Sequence, residues 1–272
     1  MRAWCNGALI DPEQPALAAL DHGVTVGDGV FEAIKVTGGQ TFALSRHLRR
    51  LARSAAGLGL PAPDDDLIRD GIAQVLAAEQ IDFGRIRVTF TGGIGPLGSG
   101  RKQGTPSYLV VATAGSRPAP TTKAVTVPWT RNERGALTGL KTTSYAENVM
   151  ALAYAEERGG TEAIFANTQG NLCEGTGTNV FCVFGGTVAT PPLASGCLAG
   201  ITRELVLEWC DVVERDLTME EFASADEVFL TSTTRDVQGL HELDDTTFTG
   251  TQPVTKRVQE CWRAQEPRDL DP

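Results

Sequence analysis

The chain has 272 residues, 41% hydrophobic and 21% charged, which is long enough for one large or two modest domains with a buried core. Its 24 basic and 34 acidic side chains give a formal charge of −10, which argues against a nucleic-acid or anionic-membrane partner. Six scattered cysteines without a Cys-x-x-Cys pair suggest neither a zinc site nor a disulfide framework. The N-terminal segment lacks the apolar run of a secretory signal, and no apolar stretch is long enough to span a bilayer. We therefore expect a cytoplasmic protein without a metal site.

The order of apolar runs and turn residues predicts an N-terminal block with a hairpin, two helices and two further strands. These elements are strands 31–36 and 41–44 around a turn at 37–40, helices from Ser45 and from 64–66, and strands 85–91 and 106–114. A glycine-rich loop, residues 92–104, joins the last two strands. Residues 116–122 have the Pro/Ser/Thr composition of a linker, so we place a domain boundary there.

The rest of the sequence predicts a second, larger block. Its predicted elements are strands 124–128, 162–166, 180–183, 187–190 and 227–231 and helices 144–158 and 202–209. Mixed strands and helices in two blocks indicate an α/β or α+β fold with two domains. The predicted ranges are 1–115 for the smaller domain, 116–122 for the linker and 123–272 for the larger domain.

Two patterns that often mark functional sites favour an ordinary interpretation here. Residues 93–98 match GxGxxG, but Pro96 lies inside the motif and no predicted helix follows, so a loop is favoured over a dinucleotide site. The histidines His22, His47 and His241 are far apart in sequence, and they predict no metal cluster.

Lysine is scarce, with five residues against 19 arginines, which narrows the search for an amine nucleophile. Lys35 closes a predicted strand, whereas Lys141 lies in the segment GLKTTSY just before a predicted helix. A lysine that forms a Schiff base must lose its proton near neutral pH, which burial and nearby cations favour. Lys141 is therefore the best-placed candidate for a buried amine.

Three later segments offer groups that suit a cofactor. Glu174, in LCEGTGTN, is either a turn or cap residue or an acceptor for a cofactor ring nitrogen. The segment LAGITR, residues 198–203, opens a predicted helix, where backbone N–H groups and a threonine hydroxyl make a phosphate site. The segment TSTT, residues 231–234, ends a predicted strand and adds hydroxyls.

Taken together, these segments occur in an order typical of one family. A lysine is followed 33 residues later by a glutamate in an EGTxxNxF context, then by GIT-R and by TSTT. From about residue 6 to Thr234 the chain resembles the class IV aminotransferases, the pyridoxal-phosphate enzymes of fold type IV. The segments GDGVFE (27–32) and HLRRL (47–51) also look like signatures of that family. The resemblance implies a two-domain fold type IV enzyme, with pyridoxal phosphate at the domain interface, that forms a homodimer.

The resemblance also implies a role for each matching residue. Lys141 would carry the cofactor as a Schiff base and shuttle the proton, and Glu174 would bond the pyridine nitrogen. Arg50 would hold the phosphate with the fork of its guanidinium. The remaining cofactor contacts would be Ile201, Thr202, Thr233 and Tyr145, and the substrate pocket would include Phe31, with Arg87 or Arg101 as a carboxylate anchor.

The activity implied by the resemblance is transfer of an amino group from an amino acid or small amine to a 2-oxo acid. The alternative is an aminodeoxychorismate lyase, which uses the same lysine to release pyruvate and 4-aminobenzoate, because the shared motifs serve the cofactor. D-Amino-acid aminotransferases hold the substrate carboxylate with an Arg-x-His pair in the loop that corresponds to residues 92–104. That loop has no such pair here, which argues against typical D-amino-acid specificity.

Overall fold

The computed structural model describes residues 1–101, 104–248 and 250–272, which form two compact units. Unit 1 comprises Met1–Arg117, Leu140–Tyr145 and Leu270–Pro272, and unit 2 comprises Pro118–Gly139 and Ala146–Asp269. The predicted domain ranges are continuous in sequence, whereas unit 1 takes in two short segments from the second half of the chain. One of these segments contains Lys141.

Unit 1 is a six-stranded antiparallel sheet covered by helices. Its strands are β1 (Arg2–Cys5), β2 (Ala8–Ile10), β3 (Gly29–Thr37), β4 (Gln40–Thr41), β5 (Phe83–Thr91) and β6 (Ser107–Ala114), and its helices are α1 (His22–Thr25), α2 (Leu44–Leu58) and α3 (Asp65–Ala78). The strand order is β2-β1-β6-β5-β3-β4. Neighbouring strands run antiparallel throughout.

The predicted hairpin is confirmed, with Val36 of β3 opposite Thr41 of β4. Gly38 and Gly39 form the turn with φ of 55° and 77°, which are values that glycine adopts without a steric penalty. The prediction that residue 44 ends the second strand is wrong, because Leu44 begins α2. The strand ends at Thr41, and the chain turns into the helix at Ala43, whose φ is 55°.

Helices α2 and α3 bury their apolar faces against one side of the sheet, in a core that includes Leu48, Leu51 and Ile68. The predicted start of α3 is confirmed, since Asp64 caps the helix by accepting the N–H of Leu67 at 3.0 Å. The apolar spacing along α2 places its arginines on different faces, so that Arg50 is buried whereas Arg49 and Arg53 are exposed.

The start of α2 is capped by the C-terminal tail. Its own N-cap residue offers no side-chain hydrogen bond. Instead, the carboxylate of Asp271 accepts the backbone N–H of Ser45 at 2.7 Å, across 226 residues of sequence. The Leu270 carbonyl also accepts the Ala43 N–H at 2.6 Å. The tail thus supplies acceptors that α2 needs at its first turn.

Unit 2 is built on a nine-stranded mixed sheet. Its elements are β7 (Thr121–Arg131), α4 (Ala146–Glu156), β8 (Glu162–Asn167), β9 (Leu172–Gly175), β10 (Asn179–Phe184), β11 (Thr187–Thr190), α5 (Ile201–Trp209), β12 (Val212–Glu214), α6 (Met219–Ala223), β13 (Glu227–Ser232), β14 (Asp236–Leu243), β15 (Thr246–Thr247) and α7 (Pro253–Gln265), with single 3-10 turns at Leu193–Ser195 and Glu266–Arg268. The order is β12-β11-β10-β13-β14-β7-β8-β9, and β15 pairs with β14.

Strand β7 runs parallel to both of its neighbours, β14 and β8. It begins at Thr121, so the last two residues of the predicted linker belong to the strand. The strands predicted in this block are present. The elements that were not predicted are β9, β12, α6, β14, β15 and α7. The rings of Phe181 and Phe229 stack at 4.7 Å where β10 meets β13. Among the described residues, none of the helices has the length and apolar character that crossing a bilayer requires.

Candidate active site

The backbone around Lys141 is held by two elements of unit 1 that are distant in sequence. The Lys141 carbonyl accepts the N–H of Phe31 at 3.0 Å, and the N–H of Thr143 donates to Gly29 at 2.8 Å, so the segment pairs with the start of β3. The Lys141 N–H donates to Ser54 Oγ on α2 at 3.2 Å. These bonds fix the position of Lys141 without a regular element of its own.

Two aromatic rings lie near the Lys141 amine, and an arginine packs against one of them. Its Nζ lies 4.5 Å from the centroid of the Phe31 ring and 5.9 Å from that of Tyr145. The two rings meet edge to face at 5.2 Å. Arg87 on β5 places its guanidinium carbon 3.7 Å from the Phe31 ring, and burial is the main cause that lowers the pKa of Arg87. The structure therefore brings together four of the predicted site residues.

Arg50 is buried in a second cluster of unit 1, with Glu32 and His47. Its Nε donates to Glu32 Oε1 and its Nη2 to Glu32 Oε2, both at 2.7 Å. His47 Nδ1 lies 2.6 Å from Glu32 Oε2. All three side chains are almost fully buried, with exposures of 4% or less. A charged fork of this kind is rigid because two parallel hydrogen bonds fix its plane.

Arg101 anchors the glycine-rich loop to the rest of unit 1. Its guanidinium forms two bonds to the Asp28 carboxylate, at 2.6 and 2.8 Å, and also donates to the carbonyls of Leu58 and Gly59. His22 holds the same loop, with Nε2 2.8 Å from the Pro96 carbonyl. Residues 102 and 103 of this loop lie outside the described residues.

Gly95, the second glycine of the GxGxxG motif, has a packing explanation. A Cβ at Gly95 would overlap the His22 ring, whereas a Cβ at Gly98 would meet nothing within 4 Å. We expect Gly95→Ala to lower the free energy of unfolding by about 1–3 kcal/mol, as overpacking does, because His22 must leave the Pro96 carbonyl. Gly98→Ala is the matched control, and both are measured by denaturant unfolding. Equal stability of the two variants would contradict the packing explanation.

In unit 2, Glu174 lies on β9, where one carboxylate oxygen accepts a hydrogen bond and the other lies at ion-pair distance from an arginine. Oε2 accepts the N–H of Leu198 at 2.8 Å, and Oε1 lies 3.4 Å from Arg131 Nε. Arg131 in turn stacks over the Phe165 ring at 4.0 Å and also pairs with Glu147. The Glu174 carboxylate is therefore restrained by Leu198 and lies beside a cation.

Helix α5 begins three residues after Leu198, the residue that donates its N–H to Glu174, and its first turn presents backbone N–H groups. Its N-cap residue, Gly200, offers no side-chain cap, and a Cβ there would overlap Asn179 Oδ1. Ile201 and Thr202 are the first two helical residues, and both are buried. Thr233 lies in the turn between β13 and β14. The start of a helix offers backbone N–H donors that suit an anion.

The polar groups of unit 2 fit a phosphorylated cofactor. The hydroxyls of Thr178 and Thr231 are buried and have no hydrogen-bond partner among the described residues. They belong to the EGTGT and TSTT segments, so each motif carries a buried hydroxyl that a bound ligand can satisfy. Within the described ranges, no three His, Cys, Asp or Glu side chains form a metal site.

The structure adds site neighbours that the sequence argument missed, namely Glu32, Asp28 and Arg131. Glu32 and Asp28 lie in GDGVFE, which was noted only as a family signature. The charge of Glu32 within an apolar strand was the available signal, because a buried carboxylate needs a partner. Arg131 gave no local signal, since the Glu174 that it contacts lies on another strand.

Residues 29–243 match the family described as Amino-transferase class IV. A putative branched-chain-amino-acid aminotransferase of Methanocaldococcus jannaschii is 32% identical, over 97% of this chain and 96% of its own length. The D-alanine aminotransferase of Bacillus licheniformis is 29% identical, over 95% of each chain. The solved branched-chain aminotransferase of Thermoproteus uzoniensis with norvaline superposes with a TM-score of 0.90 at 29% identity, covering 97% of this chain and 93% of that one.

The two sheets, together with these likenesses, define an enzyme of fold type IV. The chain belongs to the class IV aminotransferases. The predicted fold class and the predicted pyridoxal-phosphate-dependent transamination are confirmed, and the lyase alternative is not favoured. Membership of the family implies pyridoxal phosphate as the cofactor.

Proposed function

We propose that Lys141 is the amine that binds pyridoxal phosphate and moves the proton during transamination. The observation that carries this proposal is the cluster in which Lys141 Nζ lies 4.5 Å from the Phe31 ring, with Tyr145 and Arg87 against the same ring. Such a cluster gives the amine a fixed position and an apolar wall. It also supplies a cation for an anionic substrate.

Bound pyridoxal phosphate supplies an electron sink that makes the Cα–H bond of an amino donor acidic. Lys141 Nζ takes the proton from that Cα as a general base and returns it as a general acid. Phe31 and Tyr145 keep water away from the amine during this transfer. The rigid backbone pairing at residues 29–31 holds the amine within reach of the carbon.

We assign the cofactor contacts for each unit in turn. In unit 1, Arg50 holds the phosphate and Tyr145 bonds the 3′ oxygen of the ring. In unit 2, Glu174 keeps a proton on the pyridine nitrogen, and its fixed carboxylate supports this role. The phosphate also receives the N–H of Ile201 and the hydroxyls of Thr202 and Thr233.

We assign the substrate carboxylate to Arg87 and not to Arg101. Arg87 lies against the same Phe31 ring as Lys141, with its guanidinium carbon 3.7 Å from the ring centroid. The guanidinium of Arg101 instead bonds Asp28 and two carbonyls. Its task is to hold the glycine-rich loop.

Arg50→Ala is expected to weaken binding of pyridoxal phosphate about ten- to a hundred-fold, the usual cost of losing a charged hydrogen-bond partner. Arg49→Ala and Arg53→Ala are matched controls, because both side chains are exposed on α2. Cofactor titration of the apoprotein measures the three affinities. A thermal melt accompanies it, since Arg50→Ala also leaves Glu32 without its fork. Equal losses for all three variants would mean that α2 contributes only a general positive field.

We further propose a branched-chain L-amino acid as the amino donor and a 2-oxo acid as the acceptor. The names of the Methanocaldococcus relative and the Thermoproteus structure support this choice. The missing Arg-x-His pair supports the L-configuration. The similarity to these two proteins covers 97% of this chain and not only the short motifs, which strengthens the assignment of their substrate class to this protein.

The test is a panel of donors with 2-oxoglutarate as acceptor. The donors are L-leucine, L-isoleucine, L-valine, D-alanine and R- and S-1-phenylethylamine, and aminodeoxychorismate is assayed separately. Transamination of the branched-chain acids without formation of 4-aminobenzoate is the expected result. Turnover of D-alanine alone would reassign the donor, and 4-aminobenzoate without transamination would select the lyase.

We also propose a homodimer, in line with the family resemblance. Unit 1 exposes apolar side chains on two neighbouring segments that an isolated bridge from Asp21 to Ile94 joins. These side chains are Leu20, Val24, Val26, Ile94 and Leu97, with exposures from 43% to 80%. Several large apolar side chains exposed on neighbouring segments are typical of a protein–protein contact. Light scattering coupled to size exclusion gives the mass, and a monomer would contradict the proposal.

A cytoplasmic location is the last part of the proposal. All six cysteines are free, and burial raises the pKa of the Cys182 thiol to about 12. Buried reduced thiols are typical of a reducing compartment. Cell fractionation tests the location directly, and recovery in an extracellular or membrane fraction would contradict it.

A further inference from the structure

Glu32 is a buried carboxylate to which the proposed function gives no task. It is fully buried on β3, between Phe31 and Ala33. The residues on either side in the alternating pattern, Val30 and Ile34, belong to the apolar core under α2. An ionised carboxylate in such a place costs several kcal/mol unless charged partners compensate it. Its partners therefore explain why it is there.

Those partners are Arg50 and His47, which lie three residues apart on one face of α2. Burial alone raises the pKa of Glu32, but the charge and hydrogen bonds of Arg50, with those of His47, outweigh burial and lower that pKa to about 2. Burial also lowers the pKa of His47, although Glu32 opposes this change. At neutral pH a carboxylate thus faces one guanidinium and a neutral imidazole that donates from Nδ1.

The two hydrogen bonds to Glu32 fix the orientation of the Arg50 guanidinium and decide which of its edges faces the carboxylate. Glu32 accepts from Nε and Nη2, and the guanidinium is planar, so Nη1 lies on the side away from the carboxylate. A flexible arginine would have to be ordered each time that it binds an anion. An arginine held by two bonds of 2.7 Å is ordered beforehand.

We propose that Glu32, assisted by His47, is a positioning residue that fixes Arg50 for the phosphate of the cofactor. This inference rests on the proposed role of Arg50. Glu32 itself touches neither the cofactor nor the substrate. Its effect is confined to the part of the binding free energy that comes from the phosphate.

The test compares pyridoxal phosphate with pyridoxal, which lacks the phosphate. The dissociation constant of pyridoxal divided by that of pyridoxal phosphate, both measured on the apoprotein, isolates the contribution of the phosphate. Glu32→Gln keeps the volume but turns an NH₂ donor towards one N–H of Arg50, so the fork breaks. We expect the ratio to fall at least about tenfold, while the affinity for pyridoxal stays within about twofold.

Two further variants keep the test decisive if Glu32→Gln does not fold. Glu32→Asp retains the charge that compensates Arg50, but it is one methylene shorter and cannot form both bonds, so the ratio should again fall. Glu227→Gln is the matched control, because Glu227 is a buried carboxylate that accepts the N–H groups of Val254 and Thr255 at the start of α7. Its ratio should equal that of the wild type.

Three outcomes overturn the proposal. An unchanged or raised ratio in both Glu32 variants means that Glu32 does not act through Arg50. Equal losses for pyridoxal and pyridoxal phosphate mean that Glu32 is only structural. If Arg50→Ala leaves the ratio of the wild type, Arg50 does not bind the phosphate. In that case the assignment under the proposed function fails, whatever Glu32 does.

Discussion

Lys141→Ala is expected to reduce transamination at least about 10⁴-fold, because the variant loses both the covalent attachment and the general base. The apoprotein should keep its fold, since the backbone bonds of Lys141 to Phe31 and Ser54 do not involve the side chain. Steady-state assay with the best donor of the panel measures the loss. Circular dichroism and a thermal melt report on the fold.

Borohydride reduction and peptide mapping of the wild type locate the covalent link independently of activity. The pyridoxyl group should be found on Lys141. Lys35→Ala is the matched control for Lys141→Ala. Lys35 is also a buried lysine of unit 1, and its Nζ lies 4.9 Å from the centroid of the Phe42 ring. A pyridoxyl group on Lys35 or on another lysine would show that the assignment of Lys141 is wrong.

Glu174→Gln is expected to slow proton removal from the donor Cα about 10²–10³-fold, the usual effect of losing one preorganised electrostatic partner. Glutamine keeps the volume and can still accept the N–H of Leu198, but it has no charge to stabilise a proton on the pyridine nitrogen. Stopped-flow measurement of the half-reaction with the best donor gives the rate. The melting temperature should change little.

Glu147→Gln is the control for this substitution, because Glu147 pairs with the same Arg131 but its side chain is 53% exposed. We expect its rate to stay within about twofold of the wild type, as exposed ion pairs contribute little. If Glu174→Gln also remained within about twofold, Glu174 would leave the list of catalytic groups. A large drop in melting temperature with an unchanged rate would make it a turn residue.

The elements that the sequence predicted best are those whose signals are local. The β3–β4 hairpin has its two glycines in the turn, and α3 has its capping aspartate, Asp64, immediately before the helix. The boundary at Leu44 was misplaced because a single residue with positive φ redirects the chain. Helix α7 was not predicted, although Pro253 stands at its first turn.

The motifs that we assign to the cofactor were also readable, since each is a short run of sequence. Lys141, Glu174 and the helix start at Ile201 were found from residue types and their order along the chain. Their roles remain predictions, and the variants above test them. The activity itself followed from the family that this order identifies.

What the chain dictates by itself is therefore its turns, helix starts and motif order, because these depend on neighbours within a few residues. Tertiary structure decided the partners of the site. Glu32 reaches Arg50 and His47 on another element, Arg131 reaches Glu174 from a different strand, and the tail residue Asp271 caps α2. Such contacts form when folding removes buried charges and helix ends from water, and each group must then find a partner wherever the fold provides one.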